Sequence, residues 1–112
     1  NAACIAIGME RLVRKAQSVD CWGDHAPNIL IVCPPAILPL MEENPCGAAM
    51  GRGCVDKSRE LPRYLESTAR LVGAHYLDAA ACEFNRVDGM HLTRRGHAQL
   101  AEMLAQLAPT LL

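Results

Sequence analysis

Residues 29–33 read Ile-Leu-Ile-Val-Cys, an unbroken apolar run rich in β-branched side chains and followed at once by Pro34 and Pro35. The run is too short for a helix, and its lack of polar alternation is the mark of a strand buried on both faces, as in a parallel sheet. Parallel strands require crossover connections, so helices must flank it. The chain supplies them. Ile5, Met9, Leu12, Val13 and Ala16 recur at intervals of three and four, with Glu10, Arg11, Arg14 and Lys15 between them, which predicts an amphipathic helix over 5–16. A second helical pattern runs through Leu61, Leu65, Thr68, Leu71 and Val72, with Ser58 as a candidate N-cap, Pro62 near its first turn and Gly73 as terminator. "HYLDAA" at 75–80 is a brief strand candidate, and residues 81–91 read as an irregular loop. Thr93 is then placed to cap a last helix carrying Leu100, Leu104, Leu107 and Leu111, flanked by Ala101, Ala105 and Ala108, with Pro109 expected to end it. The order helix, strand, helix, strand, helix predicts an α/β fold with parallel strands between helical layers.

Composition narrows the classes of function. Half of the 112 residues are hydrophobic, which supports a core, while 11 Lys and Arg balance 12 Asp and Glu. A net charge of −1 draws the chain neither to nucleic acid nor to an anionic membrane surface. Pro, Glu and Asn interrupt the most apolar stretch, 29–44, before it reaches the roughly 18 residues of a membrane span. The six cysteines, at 4, 21, 33, 46, 54 and 82, are even in number, but Cys33 closes the strand-like run and Cys4 lies in a helix-like one. Placed so, they are expected to be reduced thiols packed as small hydrophobes, in a reducing and therefore cytoplasmic setting. No Cys-x-x-Cys pair occurs, and Cys46 to Cys54 has no usual ligand spacing, so neither a metal nor another cofactor is expected. The chain opens on Asn, with neither an initiator Met nor the order of a signal peptide, and two strands are few for such a sheet. Further chain on the N-terminal side is expected.

Two segments attract chemistry. From Pro34 to Lys57 the chain carries prolines at 34, 35, 39 and 45 and glycines at 47, 51 and 53, which predicts a long loop with at most a turn of helix. Loops of that length usually cover a site, so an active-site wall is expected there. The second segment, "VDGMH", places Asp88 three residues before His91, where the loop beyond the second strand leads into the last helix. In open α/β sheets ligands bind beyond the carboxyl ends of the strands. A catalytic imidazole needs an acceptor for one ring N–H so that its other nitrogen can take a proton, and a carboxylate three residues away in a turn can curl back to provide it. A plainer alternative stands beside this: an Asp-Gly turn in which Asp88 bonds its own backbone and His91 merely leads into the helix.

The longer string "VDGMHLTRRGHAQLAEML" resembles the last block of the SGNH (GDSL-type) hydrolases, in which Asp-x-x-His is followed by Leu-Thr, a short linker, Gly-His and an amphipathic helix. "GMERLVRKAQ", "ILIVCPP" and "KSREL" look like the family's preceding helix, strand and helix, so the likeness covers nearly the whole chain. It is nearest to bacterial arylesterase-like and acyltransferase-like members. The resemblance implies a flavodoxin-like three-layer α/β/α fold, of which residues 1–112 are the C-terminal part of one domain. It also implies a serine esterase or acyltransferase acting on a small carboxylic ester without a cofactor, with His91 as general base and Asp88 as its orienting partner. The family's Gly-Asp-Ser segment and its oxyanion-hole Gly and Asn are expected before residue 1, and the chain by itself is expected to be inactive. None of Ser18, Ser58 or Ser67 has the glycine-rich turn of an exposed nucleophile. Ala36 departs from the family's frequent third proline, and Arg94-Arg95 from its Pro-Glu. His97 takes the Gly-His position and is expected to be structural; His25 and His75 are expected to be solvated or incidentally buried. Met41 and Met50 could line an acyl pocket, although packing is the simpler role. The competing reading is a non-catalytic α/β module whose sheet edge and apolar helix faces pair with another polypeptide. Either reading leaves room for a homo-oligomer.

Overall fold

The structure, a computed structural model, describes the backbone of residues 1–112 and every side chain except that of Cys46. The expectation of a free thiol at Cys46 therefore lies outside the described side chains, while Cys4, Cys21, Cys33, Cys54 and Cys82 are free.

Helix α1 (Ala2–Gln17) begins earlier than its apolar periodicity indicates, because the Asn1 side chain accepts a hydrogen bond from the Cys4 amide at 3.0 Å and caps the first turn. Strand β1 (Leu30–Cys33) follows, then two short helices, α2 (Leu40–Glu43) and α3 (Pro45–Met50). A long helix α4 (Cys54–Val72) leads to strand β2 (His75–Asp78), and helix α5 (Arg94–Leu111) closes the order. The strands pair in parallel, Leu30 opposite His75 through Cys33 opposite Asp78. Alternation along them separates two faces. Ile31, Cys33 and Tyr76 face a core shared with Ala6 and Val13 of α1 and with Leu65, Ala69 and Val72 of α4. Leu77 points the other way and shares a groove with Met103 and Leu107 of α5. The result is three layers, with α1 and α4 on one face of the sheet and α5 on the other.

Several expectations change. Strand β1 is buried on one face and half-covered on the other, where Leu30 and Val32 lie, so it is not enclosed on both sides. The segment expected to be a loop holds α2, α3 and the first turn of α4. Its prolines do not forbid this, because Pro39 stands at the N-cap of α2 and Pro45 opens α3, positions where a missing N–H removes no helical bond. Helix α4 starts four residues before Ser58, after Gly53 at φ +70°, and the Glu42 carboxylate of α2 accepts from the Val55 amide at 3.4 Å. Ser58 lies inside the helix, donating to the Val55 carbonyl and accepting from the Ile37 amide.

Pro62 falls in the middle of α4, where proline costs about 3 kcal/mol, so burial of Val55, Leu65, Ala69 and Val72 must keep the helix continuous through it. Pro109 likewise lies inside α5, which continues to Leu111. Leu12 and Leu71 belong to the expected apolar stripes yet are 66% and 65% exposed. Small residues decide the packing instead: Ala2, Ala6 and Ala69 are almost fully buried, and their size lets α1 and α4 approach closely.

Candidate active site

Beyond β2 the chain turns at Asp78, whose side chain accepts from the Ala80 amide at 2.9 Å, and buries Cys82 against Met103 of α5. Residues 83–85 then run antiparallel to 91–93. The Asn85 amide donates to the His91 carbonyl at 2.6 Å, the Thr93 amide donates to the Glu83 carbonyl at 3.1 Å, and Phe84 bridges Leu92 between them. This clamp closes a small loop. Inside it, the Gly89 amide donates to the Asn85 carbonyl at 2.8 Å, and the Asn85 side chain accepts from the Val87 amide. The Gly89 carbonyl accepts from the Leu38 amide at 2.9 Å, which fastens the loop to the segment after β1. Glycine is required at 89 on two counts: its φ is +70°, and a Cβ there would lie 3.0 Å from the Leu38 Cβ.

The loop presents Asp88 and His91 to each other. Asp88 Oδ1 accepts from the backbone amides of Met90 at 2.8 Å and His91 at 3.0 Å, while Oδ2 faces His91 Nδ1 at 3.4 Å. Asp88 thus bonds its own turn through one oxygen and faces the imidazole with the other. The His91 amide first, and the Met90 amide after it, hold the Asp88 carboxyl below its ordinary range, with a smaller contribution from the imidazole and a small opposing effect of burial. The His91 side chain is 72% exposed and that of Asp88 35%. Nε2 of His91 has no hydrogen-bond partner among the described residues, on a ring that is largely exposed, while Nδ1 faces the carboxylate. A ring held in this way can accept a proton on Nε2 and share the resulting charge with Asp88.

The other histidines, His25, His75 and His97, are exposed and make no side-chain contact with the pair. Ser18 donates to the Lys15 carbonyl, Ser58 is committed within α4, and Ser67 lies exposed on that helix. Among the described residues, no three metal-ligating side chains come together, and no helix is long and apolar enough to cross a membrane.

Beside Met90 lies an apolar cavity of about 400 Å³ at the C-terminal end of β1, walled by Pro34, Pro35, Ile5, Met50 and Leu61. Residues of the Pro34 to Lys57 segment line much of this cavity. Of the two methionines weighed from sequence, Met50 lines this cavity, whereas Met41 is fully buried against Ile37, Cys54 and Val55. Met90 and Ile5 carried no sequence signal for such a role, except that Met90 is next to His91.

No family model matches the chain, and no curated protein matches its sequence. Solved structures do. The aryl esterase of M. smegmatis superposes with a TM-score of 0.83 at 28% identity, over 100% of this chain and 53% of its own. A carbohydrate acetylesterase family member from Sinorhizobium meliloti gives 0.86 at 25% identity over 99% and 53%, and the carbohydrate acetylesterase Est24 from the same organism gives 0.72 at 30% over 96% and 53%. The chain spans about half the length of the structures it matches. The chain thus has the α/β fold of SGNH-type esterases and is similar to the C-terminal portion of their domain.

Proposed function

We propose that residues 1–112 are the C-terminal part of a serine ester hydrolase domain, in which His91 is the general base and Asp88 orients it. The observation that carries this reading is the loop geometry: Asp88 Oδ2 faces His91 Nδ1 while Nε2 is open beyond the sheet. The esterase neighbours support the same class of chemistry. The nucleophilic serine and the oxyanion donors come from chain outside residues 1–112. In the complete site the serine hydroxyl attacks the ester carbonyl, and Nε2 takes its proton. Asp88 stabilises the imidazolium, which then returns the proton to the departing alcohol. The acyl-enzyme is resolved by water or by a second alcohol. The cavity beside Met90, lined almost wholly by carbon, suits an uncharged apolar portion of the ester.

Fluorophosphonate labelling of the intact protein tests the assignment. One serine should be labelled, and p-nitrophenyl acetate should protect it and be turned over. Absence of a labelled serine would reject the esterase reading and favour a non-catalytic module that uses the unpaired edge of β1.

A further inference from the structure

One contact that closes the His91 clamp lies outside the Asp88–His91 pair. Gly96, in the first turn of α5, is the one residue of that helix that is buried. A Cβ built on it would stand 2.9 Å from the Glu83 carbonyl carbon and would overlap the Glu83 carbonyl oxygen outright. Those atoms are backbone, already held in the clamp, and cannot rotate away as a side chain would. The same peptide is gripped from other sides. Thr93, the N-cap of α5, accepts from the Gly96 amide at 3.0 Å and donates to the Glu83 carboxylate at 2.6 Å. The Gln99 side chain accepts from the Glu83 amide at 2.7 Å.

The start of α5 therefore seats directly on the Glu83 peptide, and that seating brings 91–93 against 83–85. The Asp88–His91 contact, at 3.4 Å between a largely exposed imidazole and a partly exposed carboxylate, is too weak to hold the loop closed by itself. We infer that Gly96 is a positioning residue for His91: the absence of its side chain lets α5 close on the Glu83 peptide and so fixes the ring against Asp88. This extends the proposed function, since it concerns the same imidazole, but its readout in the intact protein needs no ester chemistry.

The test is the nitrogen NMR spectrum of His91 at about pH 8, above the ordinary histidine range near 6.5, where neutral tautomers are resolved. In the wild type the Nδ1–H form should be enriched by its carboxylate acceptor, and the Asn85 and Thr93 amide protons should exchange slowly. Gly96→Ala should return the ring to the Nε2–H majority of free histidine and speed exchange at both amides by at least about tenfold. Thr93→Val, which keeps the volume of the cap and removes its side-chain hydrogen bonds to Glu83 and Gly96, should move both signals part of the way and serves if Gly96→Ala does not fold. A core variant, Leu65→Ala, measured where it remains folded, should leave the tautomer unchanged, which separates positioning from general loss of stability. Unaltered tautomer and exchange in the folded Gly96→Ala chain, or in Thr93→Val should Gly96→Ala not fold, would overturn the inference. In the intact enzyme Gly96→Ala should lower kcat about 100-fold with KM nearly kept. A tautomer shift in the chain together with no ester turnover in the wild-type intact protein would support positioning and reject only the esterase reading.

Discussion

The two faces of the sheet are built by different means. On one, α1 and α4 meet β1 and β2 through Ala6, Val13, Ile31, Cys33, Leu65, Ala69 and Val72, a core made of apolar contacts. On the other, residues 83–93 and the start of α5 are held by backbone hydrogen bonds, a side-chain cap and a single buried glycine. Apolar packing is non-directional and scales with buried area, so it stabilises without specifying an angle. Hydrogen bonds and close backbone contacts specify angles and contribute modestly to net stability. In the proposed reading the division follows from the work each face does: the first keeps the chain folded, the second aims a ring.

That contrast can be broken by experiment, beginning with the largest effect. His91→Ala in the intact protein should reduce turnover of p-nitrophenyl acetate by at least about 1,000-fold. Because the side chain is largely exposed, its melting transition should move by no more than about 0.5 kcal/mol. A large stability loss would mean that the loop carries more of the fold than its contacts indicate. The mirror experiment is Leu65→Ala. Leu65 is 2% exposed in the core, and its truncation should cost about 2–5 kcal/mol by chemical denaturation, enough to unfold much of the population.

A smaller and opposite effect is expected within the same core. The Tyr76 hydroxyl is buried with no partner in hydrogen-bonding geometry; it lies on the same face as the Cys33 thiol, which could at most provide a weak contact, and burial raises the pKa of both groups. Tyr76→Phe should leave stability unchanged or raise it by about 1 kcal/mol, since it removes an unsatisfied polar atom at constant shape. A loss of similar size in denaturant titration would reveal that the thiol is a true partner.

The smallest effect is electrostatic. Asp88 titrates below its ordinary range because two amides bind its ionised form, so its contribution is fully present above the unfolded value near 3.9 and disappears as pH falls through the lower folded value. Carbon NMR of the Asp88 carboxyl should show a midpoint below about 3.9, with the loop amides of Met90 and His91 shifting in step. A midpoint at or above that value would show the loop to be open in solution.

Much of this was legible in the chain itself. Periodicity located α1, α4 and α5, because burial of one helix face imposes a repeat that survives in the order of residues, while an unbroken apolar run marked β1 and a brief strand candidate marked β2. Thr93 was recognisable as a cap, and Asp88 with His91 as a pair, because each acts on a neighbour three residues away. What the order of residues did not reveal depends on partners distant along the chain. Glu42 reaches the N-terminus of α4, Leu38 holds Gly89, and Ile5 joins Met90 around one cavity. Pro62 and Pro109 stay helical because neighbouring burial outweighs a local penalty, and Leu12 and Leu71 stay exposed because alanines set the α1 to α4 spacing. Local spacing thus determined which groups could meet, whereas the folded backbone decided which did, since only three-dimensional closure brings a glycine in α5 against the peptide of Glu83 and leaves no room between them.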